Sequence, residues 1–337
     1  MSGRYSRQEL FAPVGPRGQA LIAASRVLLV GCGALGTHLA EFCVRAGVGE
    51  LTLIDRDVVD ASNLGRQSLF TEEDMRAALP KAVAAQRHLA AINGLAKVNA
   101  IVGEFAPENA EKLAAGSTLI LDATDNFETR FLINDVAVKL GKPWVYAACV
   151  ASRAVCMPVI PGRSACMACL LDSQPAADGE TCETSGIILP AVLQAVSWAS
   201  VVALKILSGN EQALFKRMFT VDLWSGERTS IDASRPRGDC SVCGGRVFNH
   251  LNATAGTRAA ALCGRRTVQL RPEAKLDFPA ARQRLTATGK VLVNNEYLVR
   301  LSEGNLELTL FADGRALVHG TSDAASARAL YSRFVGS

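Results

Sequence analysis

Three glycines, Gly31, Gly33 and Gly36, stand in VLLVGCGALG with GxGxxG spacing. The apolar run ahead of them reads as a strand and the residues from Ala34 onward as a helix, so backbone amides at a helix N-terminus face a phosphate. Alone, this pattern says only nucleotide. Asp55 closes the next apolar run, LTLID, where an acidic side chain can accept hydrogen bonds from ribose hydroxyls. An NAD-dependent oxidoreductase fits this much equally well. The following segment, DRDVVDASNLGRQSLF, adds Asp57, Asn63, Arg66 and Gln67, and Lys81 enters the next helix. Those residues form an inventory for a triphosphate: ATP carries about four negative charges, and a departing pyrophosphate needs Arg, Lys and Mg2+ to neutralise it. A fourth apolar run ends in Asp122-Ala123-Thr124-Asp125-Asn126, with Asp125 the expected Mg2+ ligand and Asn126 beside it. Taken singly, Arg66 and Lys81 read equally as solvated surface charges, and Asp125 as the cap of a helix starting at Asn126. Their ordered recurrence at strand ends is what argues for a site.

Two CxxC pairs, Cys166-Met-Ala-Cys169 and Cys240-Ser-Val-Cys243, have the internal spacing of a closed four-thiolate zinc site. A redox pair is the alternative, but neither pair lies at the strand-to-helix turn a thioredoxin motif requires. Cys182 differs from both. It sits in the polar GETCETSG just before an apolar helix, a setting that lowers a thiol pKa and makes it nucleophilic. Cys32, Cys43, Cys149, Cys156 and Cys263 have apolar or small neighbours and read as fillers, and the four histidines show no ligand spacing.

Short apolar runs and amphipathic stretches alternate from Ser25 onward: VLLV, a helix, LTLID, a helix after Pro80, VNAIV, a helix, LILDAT. That alternation predicts an α/β fold, a doubly wound, Rossmann-like, mostly parallel sheet. Residues 143–147 and 154–159 read as further strands and 219–231 as a hairpin. The expected domains are an ATP-binding domain over 1–246 with a crossover loop at 161–186, a linker at 247–265, and a small C-terminal α+β domain over 266–337. Within the last, the reading is strand, helix, two or three strands and a final helix. The 337 residues, 49% of them hydrophobic, suffice for one large core and a second, smaller one. A net charge of +4 is too balanced for a nucleic-acid footprint or a membrane anchor. The first residues lack a secretory signal, which with ten cysteines points to the cytoplasm and to metal or thiol chemistry rather than disulfides. Residues 187–207 form one long apolar stretch, interrupted by Pro190, Gln194, Ser197, Ser200 and Lys205, and read as a buried helix rather than a membrane span.

Through RYSRQ, GCGALG, DRD, NLGRQ, Lys81 and ATDN, the segment from Tyr5 to Cys243 resembles the ThiF/MoeB/HesA family of the ubiquitin-activating superfamily. The resemblance implies an ATP-dependent adenylyltransferase acting on the C-terminal Gly-Gly carboxylate of a small ubiquitin-like sulfur-carrier protein. It also implies a homodimer, with Arg7 of the RYSRQ element reaching into the neighbouring subunit's ATP site, and the same zinc at the two CxxC pairs. Cys182 matches the family's crossover-loop cysteine, which in some members forms a covalent link with the carrier or handles sulfur from a desulfurase- or rhodanese-type donor. The tail beyond Cys243 resembles the extension of longer members assigned to thiamine-thiazole synthesis, whereas shorter molybdopterin-pathway members end soon after the second CxxC. A non-catalytic binding module that keeps the fold is the remaining rival.

Overall fold

A computed structural model of the chain describes residues 3–171, 184–253, 259–261, 266–270, 276–288 and 290–335. They fall into two compact units, Met1–Arg76 with Pro80–Thr254, and Ala77–Leu79 with Ala255–Ser337.

The first unit opens with α1 (Ser6–Glu9) and α2 (Gly15–Ala24), then β1 (Arg26–Val30), α3 (Ala34–Ala46) and β2 (Glu50–Asp55). A 3-10 turn at Ala61–Asn63 leads to α4 (Glu72–Arg76), α5 (Lys81–Ile92), β3 (Lys97–Val102), α6 (Pro107–Ala115), β4 (Leu119–Asp122) and α7 (Phe127–Leu140). Next come β5 (Trp144–Val150), β6 (Arg153–Val159), α8 (Met167–Leu170), α9 (Leu189–Leu207), β7 (Arg217–Asp222) and β8 (Arg228–Asp232). These strands make one eight-stranded sheet in the order β3-β2-β1-β4-β5-β6-β7-β8. It is parallel from β3 through β5 and antiparallel from β5 onward. The unbroken apolar runs of β1 and β4 are buried on both faces, as central parallel strands require. Strand order reverses on either side of β1, so the loops following β1 and β4 meet at the crevice where open α/β sheets take ligands.

In α3, Leu35, Leu39 and Cys43 recur every four residues and are buried against the sheet, which fixes the direction in which its N-terminus points. The apolar stretch before residue 207 is a core helix. Ala191, Val192, Ala195, Ala199, Val202 and Ala203 bury one face of α9 against the sheet, while Leu189, Leu193 and Val201 leave an exposed apolar edge.

The second unit contains β9 (Ala259–Ala261), β10 (Thr267–Leu270), α10 (Phe278–Thr288), β11 (Lys290–Asn294), β12 (Leu298–Glu303), β13 (Leu306–Phe311), β14 (Ala316–His319) and α11 (Ala324–Phe334). Its antiparallel sheet has the order β11-β12-β13-β14-β10-β9, and its core is built on Val268, Leu285, Val299, Leu301, Leu308, Leu310, Val318 and Leu330. Four strands follow α10, one or two more than the sequence pattern suggested; β11 is only five residues long and buries none of them fully. β9 lies inside the stretch read as a linker.

Candidate functional site

The phosphate loop is built by close approach. Gly31 has φ +93, and a Cβ there would lie 2.6 Å from the carbonyl oxygen of Ala123. A Cβ on Gly36 would lie 2.2 Å from the carbonyl oxygen of Gly31. Both positions therefore admit only glycine, and the consequence is a tight turn seated on the β4 loop with Gly33 as the N-cap of α3 and Ala34 as its first residue. Gln67 packs over this turn, its amide nitrogen 3.9 Å from where a Cβ on Gly33 would stand. Gln67 is 4% exposed, and its Oε1 has no hydrogen-bond partner among the described residues. A buried orphan acceptor above a phosphate-binding turn fits a nucleotide that brings its own donor.

Asp55, at the end of β2, accepts from Cys32 N at 2.6 Å and from Asp57 N at 2.7 Å. One carboxylate thus ties the phosphate loop to the next strand end, and a carboxylate has further lone pairs that ribose hydroxyls can donate to. The surrounding protein pushes the Asp55 pKa up, against the opposing pull of the Lys81 ammonium. Lys81 is 6% exposed at the start of α5, where its N–H donates to Asp57 O and its Nζ donates to Asp57 Oδ2 at 3.0 Å. Burial works against that charge, but Asp57 and Asp55 more than offset it and hold its pKa above the usual value. Asn63 closes a capping box with Asp60 and is buried, which fixes the turn leading to Gln67. The Arg66 guanidinium is folded back, with Nη1 donating to Ser62 O at 2.6 Å.

The β4 loop carries Asp125, exposed, with its Oδ1 accepting from Asn126 Nδ2 at 3.3 Å. Asn126, and not Asp125, caps α7: its side chain accepts from Thr129 N at 2.8 Å. That leaves the Asp125 carboxylate clear of any capping duty, an arrangement that suits a hard cation. Two charged residues that sequence reasoning passed over stand here. Arg56, after β2, donates to Glu104 Oε1 at 2.9 Å; burial lowers its pKa but the carboxylates of Asp57, Glu104, Asp125 and Asp55 more than offset it. Arg130, only 6% exposed, lies beneath the loop on the inner face of α7. Its place in FETRFLIND carries no signal of its burial, because Asn126 and Asn134 one turn to either side make the same helical face read as polar.

The two CxxC pairs converge. Their four Sγ atoms lie within 4.8 Å of one another, with 3.8 Å from Cys166 to Cys169, 3.7 Å from Cys166 to Cys240 and 3.4 Å from Cys169 to Cys243. A tetrahedron with Zn–S bonds of about 2.3 Å has edges of about 3.8 Å, so the donor set fits zinc. Burial and the neighbouring sulfurs push the Cys243 thiol up to about 12, whereas at Cys240 hydrogen bonds more than offset burial and hold the thiol below its ordinary value. Helix α7 supports the cluster: Asn134 Oδ1 accepts from Met167 N at 2.9 Å, and Asp135 Oδ2 accepts from His250 N and Leu251 N.

Two expected residues are not brought to this crevice. Arg7 lies at the opposite end of α3. Tyr5 packs so closely on Gly47 that a Cβ there would be 2.6 Å from its ring, and Gln8 and Gln19 both donate to Ala46 O at 3.0 Å. The 13 residues of α3, about 20 Å of helix, separate that anchor from the phosphate loop. Cys182 lies outside the described residues. Of the presumed fillers, Cys32, Cys43 and Cys156 are buried, and burial pushes their thiols well above the usual value.

Known proteins share this architecture. The model of the ThiF family matches residues 5–242. Sulfur carrier protein ThiS adenylyltransferase of Bacillus subtilis is 45% identical over 339 residues, covering 100% of both chains. Sulfur carrier protein adenylyltransferase of Thermus thermophilus is 36% identical over 72% of this chain and 90% of its own. The mouse adenylyltransferase and sulfurtransferase MOCS3 is also 36% identical, over 72% of this chain but only 52% of its own. Among solved structures, Escherichia coli MccB with MccA-N7isoASN aligns with a TM-score of 0.64 at 23% identity over 72% of this chain and 75% of that one, a likeness of fold alone.

Proposed function

This chain belongs to the ThiF family, and from that premise we propose that it is an ATP-dependent adenylyltransferase for the C-terminal Gly-Gly carboxylate of a ubiquitin-like sulfur-carrier protein. The observation that carries the reading is the end-to-end match to a ThiS adenylyltransferase, which includes the C-terminal unit. The Thermus and mouse relatives each match 72% of the chain rather than its full length. Service to a ThiS-type carrier in thiazole synthesis therefore takes precedence over a molybdopterin-type carrier.

A carboxylate is already ionised at neutral pH, so the protein's work is placement and charge neutralisation rather than proton removal. The turn at Gly31, Gly33 and Gly36 and the N-terminus of α3 receive phosphates, and Asp55 holds the ribose. Gln67 and Asn63 shape the wall over the loop. Lys81, with Arg66 swung from Ser62, neutralises the phosphates as the carrier's carboxylate attacks at the α-phosphorus and pyrophosphate leaves. Asp125 would hold Mg2+, which would supply charge neutralisation for the departing pyrophosphate. The four cysteines hold zinc as a structural clamp on the entrance to the crossover. Arg7, anchored about a helix length from its own loop, serves the loop of a second copy, which supports a homodimer. A persulfide donor then displaces AMP to form an acyl disulfide, and the Cys182 thiolate attacks its S–S bond to release the thiocarboxylate, leaving Cys182 in a disulfide with the donor.

ATP–pyrophosphate exchange with purified protein, Mg2+ and candidate carriers tests this reading. Exchange is expected with an intact carrier and not with one lacking the terminal Gly-Gly. ATP binding without exchange for any Gly-Gly carrier points instead to a binding module, and absence of ATP binding overturns the reading altogether.

A further inference from the structure

The Arg130 guanidinium organises the loop that carries Asp125. Its Nε donates to Asp122 Oδ2 at 3.3 Å and its Nη2 to the carbonyl oxygen of Thr124 at 2.6 Å. The other oxygen of Asp122 accepts from Thr124 N at 2.9 Å and from Thr124 Oγ1 at 2.7 Å. Asp122, Thr124 and Arg130 thus form a closed ring of hydrogen bonds spanning the two residues between the end of β4 and Asp125. The Phe127 and Tyr146 rings hold the guanidinium, at 5.1 and 5.4 Å from their centroids. Because the carbonyl oxygen of Ala123 abuts Gly31, the same loop forms one wall of the phosphate turn.

A buried ion pair is weak support for stability, since desolvation takes back most of its attraction. What this one supplies is geometry. A planar fork can donate to a carboxylate and a carbonyl in two fixed directions, which a lysine ammonium on the same helix cannot reproduce. We propose that Arg130 is a positioning residue for the metal-dependent step: through Thr124 it sets the direction of the Asp125 carboxylate toward a cation bound with the nucleotide. The inference rests on the adenylation reading and on Asp125 as the cation's ligand.

The test compares wild type, Arg130→Lys, the milder Thr124→Val, which removes one hydroxyl donor to Asp122 and leaves the guanidinium and the backbone donor in place, and Asp125→Asn as a benchmark. Three quantities are read: ATP affinity without metal by calorimetry, Mn2+ affinity in the presence of ATP by electron paramagnetic resonance, and exchange as a function of Mg2+. Arg130→Lys is expected to keep metal-free ATP affinity within about twofold of wild type while Mn2+ affinity and exchange kcat each fall about 10- to 100-fold, the range typical for residues that orient ligands. Thr124→Val is expected to shift the same two quantities by less, and it carries the test if Arg130→Lys does not fold. Wild-type Mn2+ affinity in both variants, or an equal loss of metal-free ATP affinity, overturns the inference and leaves the adenylation reading standing. A wild-type protein that shows no exchange with any carrier overturns both.

Discussion

Replacing Lys81 with methionine removes a buried cation of the site and isolates two carboxylates. The separation of 3.0 Å between Lys81 Nζ and Asp57 Oδ2 corresponds to a gross attraction of about 5.5 kcal/mol at an effective dielectric of about 20. Desolvation of the ammonium opposes this, and the Asp57 side chain is 37% exposed against 8% for Lys81, so water screens part of the pair. The net cost falls between exposed pairs, at roughly 0.2–1 kcal/mol, and broken buried pairs, at roughly 3–5 kcal/mol; about 2 kcal/mol is expected. For a domain of this size that lowers the thermal midpoint by about 4–8 °C. The pH dependence has a definite sign. Asp55 already titrates above the usual carboxylate range because of burial, and Lys81 opposes that rise; without Lys81 it rises further. An acid whose folded pKa is raised binds its proton more tightly in the folded state, so folding gains stability as pH falls through that pKa and loses it as pH rises. The variant's deficit is therefore largest above the raised Asp55 pKa, where the buried carboxylate is charged without its ammonium, and shrinks as pH falls through that pKa. Urea unfolding at a series of pH values measures this, and Asp57→Asn in the same background should restore part of the loss. Pyrophosphate exchange should fall about 100-fold or more, as for loss of one preorganised donor. A Lys81→Met variant within about 0.5 kcal/mol of wild type at every pH would refute the coupling.

Three further outcomes are expected. Gly36→Ala places a methyl 2.2 Å from the carbonyl oxygen of Gly31; it should cost about 1–3 kcal/mol of stability and weaken ATP binding by calorimetry at least about tenfold, and parent-like binding would show that the turn is looser than described. In Asp74, burial raises the carboxyl pKa, but hydrogen bonds from His88 Nε2, Thr71 N and Thr71 Oγ1, each at 2.8 Å, more than offset it and leave it below the ordinary value. An acid with a depressed folded pKa contributes stability that is present above about pH 4 and lost below it, so Asp74→Asn should be about 1–2 kcal/mol less stable at pH 7 by urea unfolding, with the difference vanishing in acid. Metal analysis should find one zinc per chain, absent in Cys166→Ser, and its removal by a chelator should lower the thermal midpoint by about 10 °C or more; an unchanged midpoint would make the cluster dispensable for the fold.

The glycines, the acid ending β2 and the two CxxC pairs were legible in the sequence because each is a local pattern with one physical explanation: close approach, a strand end, a tetrahedron. Cys166 and Cys240 could be paired across the chain only because two matched dyads leave few alternatives. Arg130 was not legible, since nothing in the one-dimensional pattern separates a buried arginine on α7 from a solvated one; Phe127 and Tyr146, which sandwich it, come from different elements. The anchoring of Tyr5 and Gln8 was equally hidden, because Gly47, Gln19 and Asn93 meet only after three helices have packed. Asn93, for instance, donates to the Tyr5 hydroxyl at 2.9 Å and to Val44 O at 2.9 Å. Asp125 shows the limit of capping rules, which could not decide between it and Asn126 until the backbone was placed.

Helix α7 carries Asn126 and Arg130 at its nucleotide end and Asn134 and Asp135 facing the cysteine cluster, all within 14 residues and the cap that precedes them. Each residue of an α-helix advances about 100° around the axis. Inserting or deleting a single residue between Arg130 and Asn134 would therefore swing one set of contacts a quarter-turn or more away from its partners, even with every side chain retained. The phase of α7 is as much a part of the site as the residues it bears, and the two ends of the helix tolerate change only together.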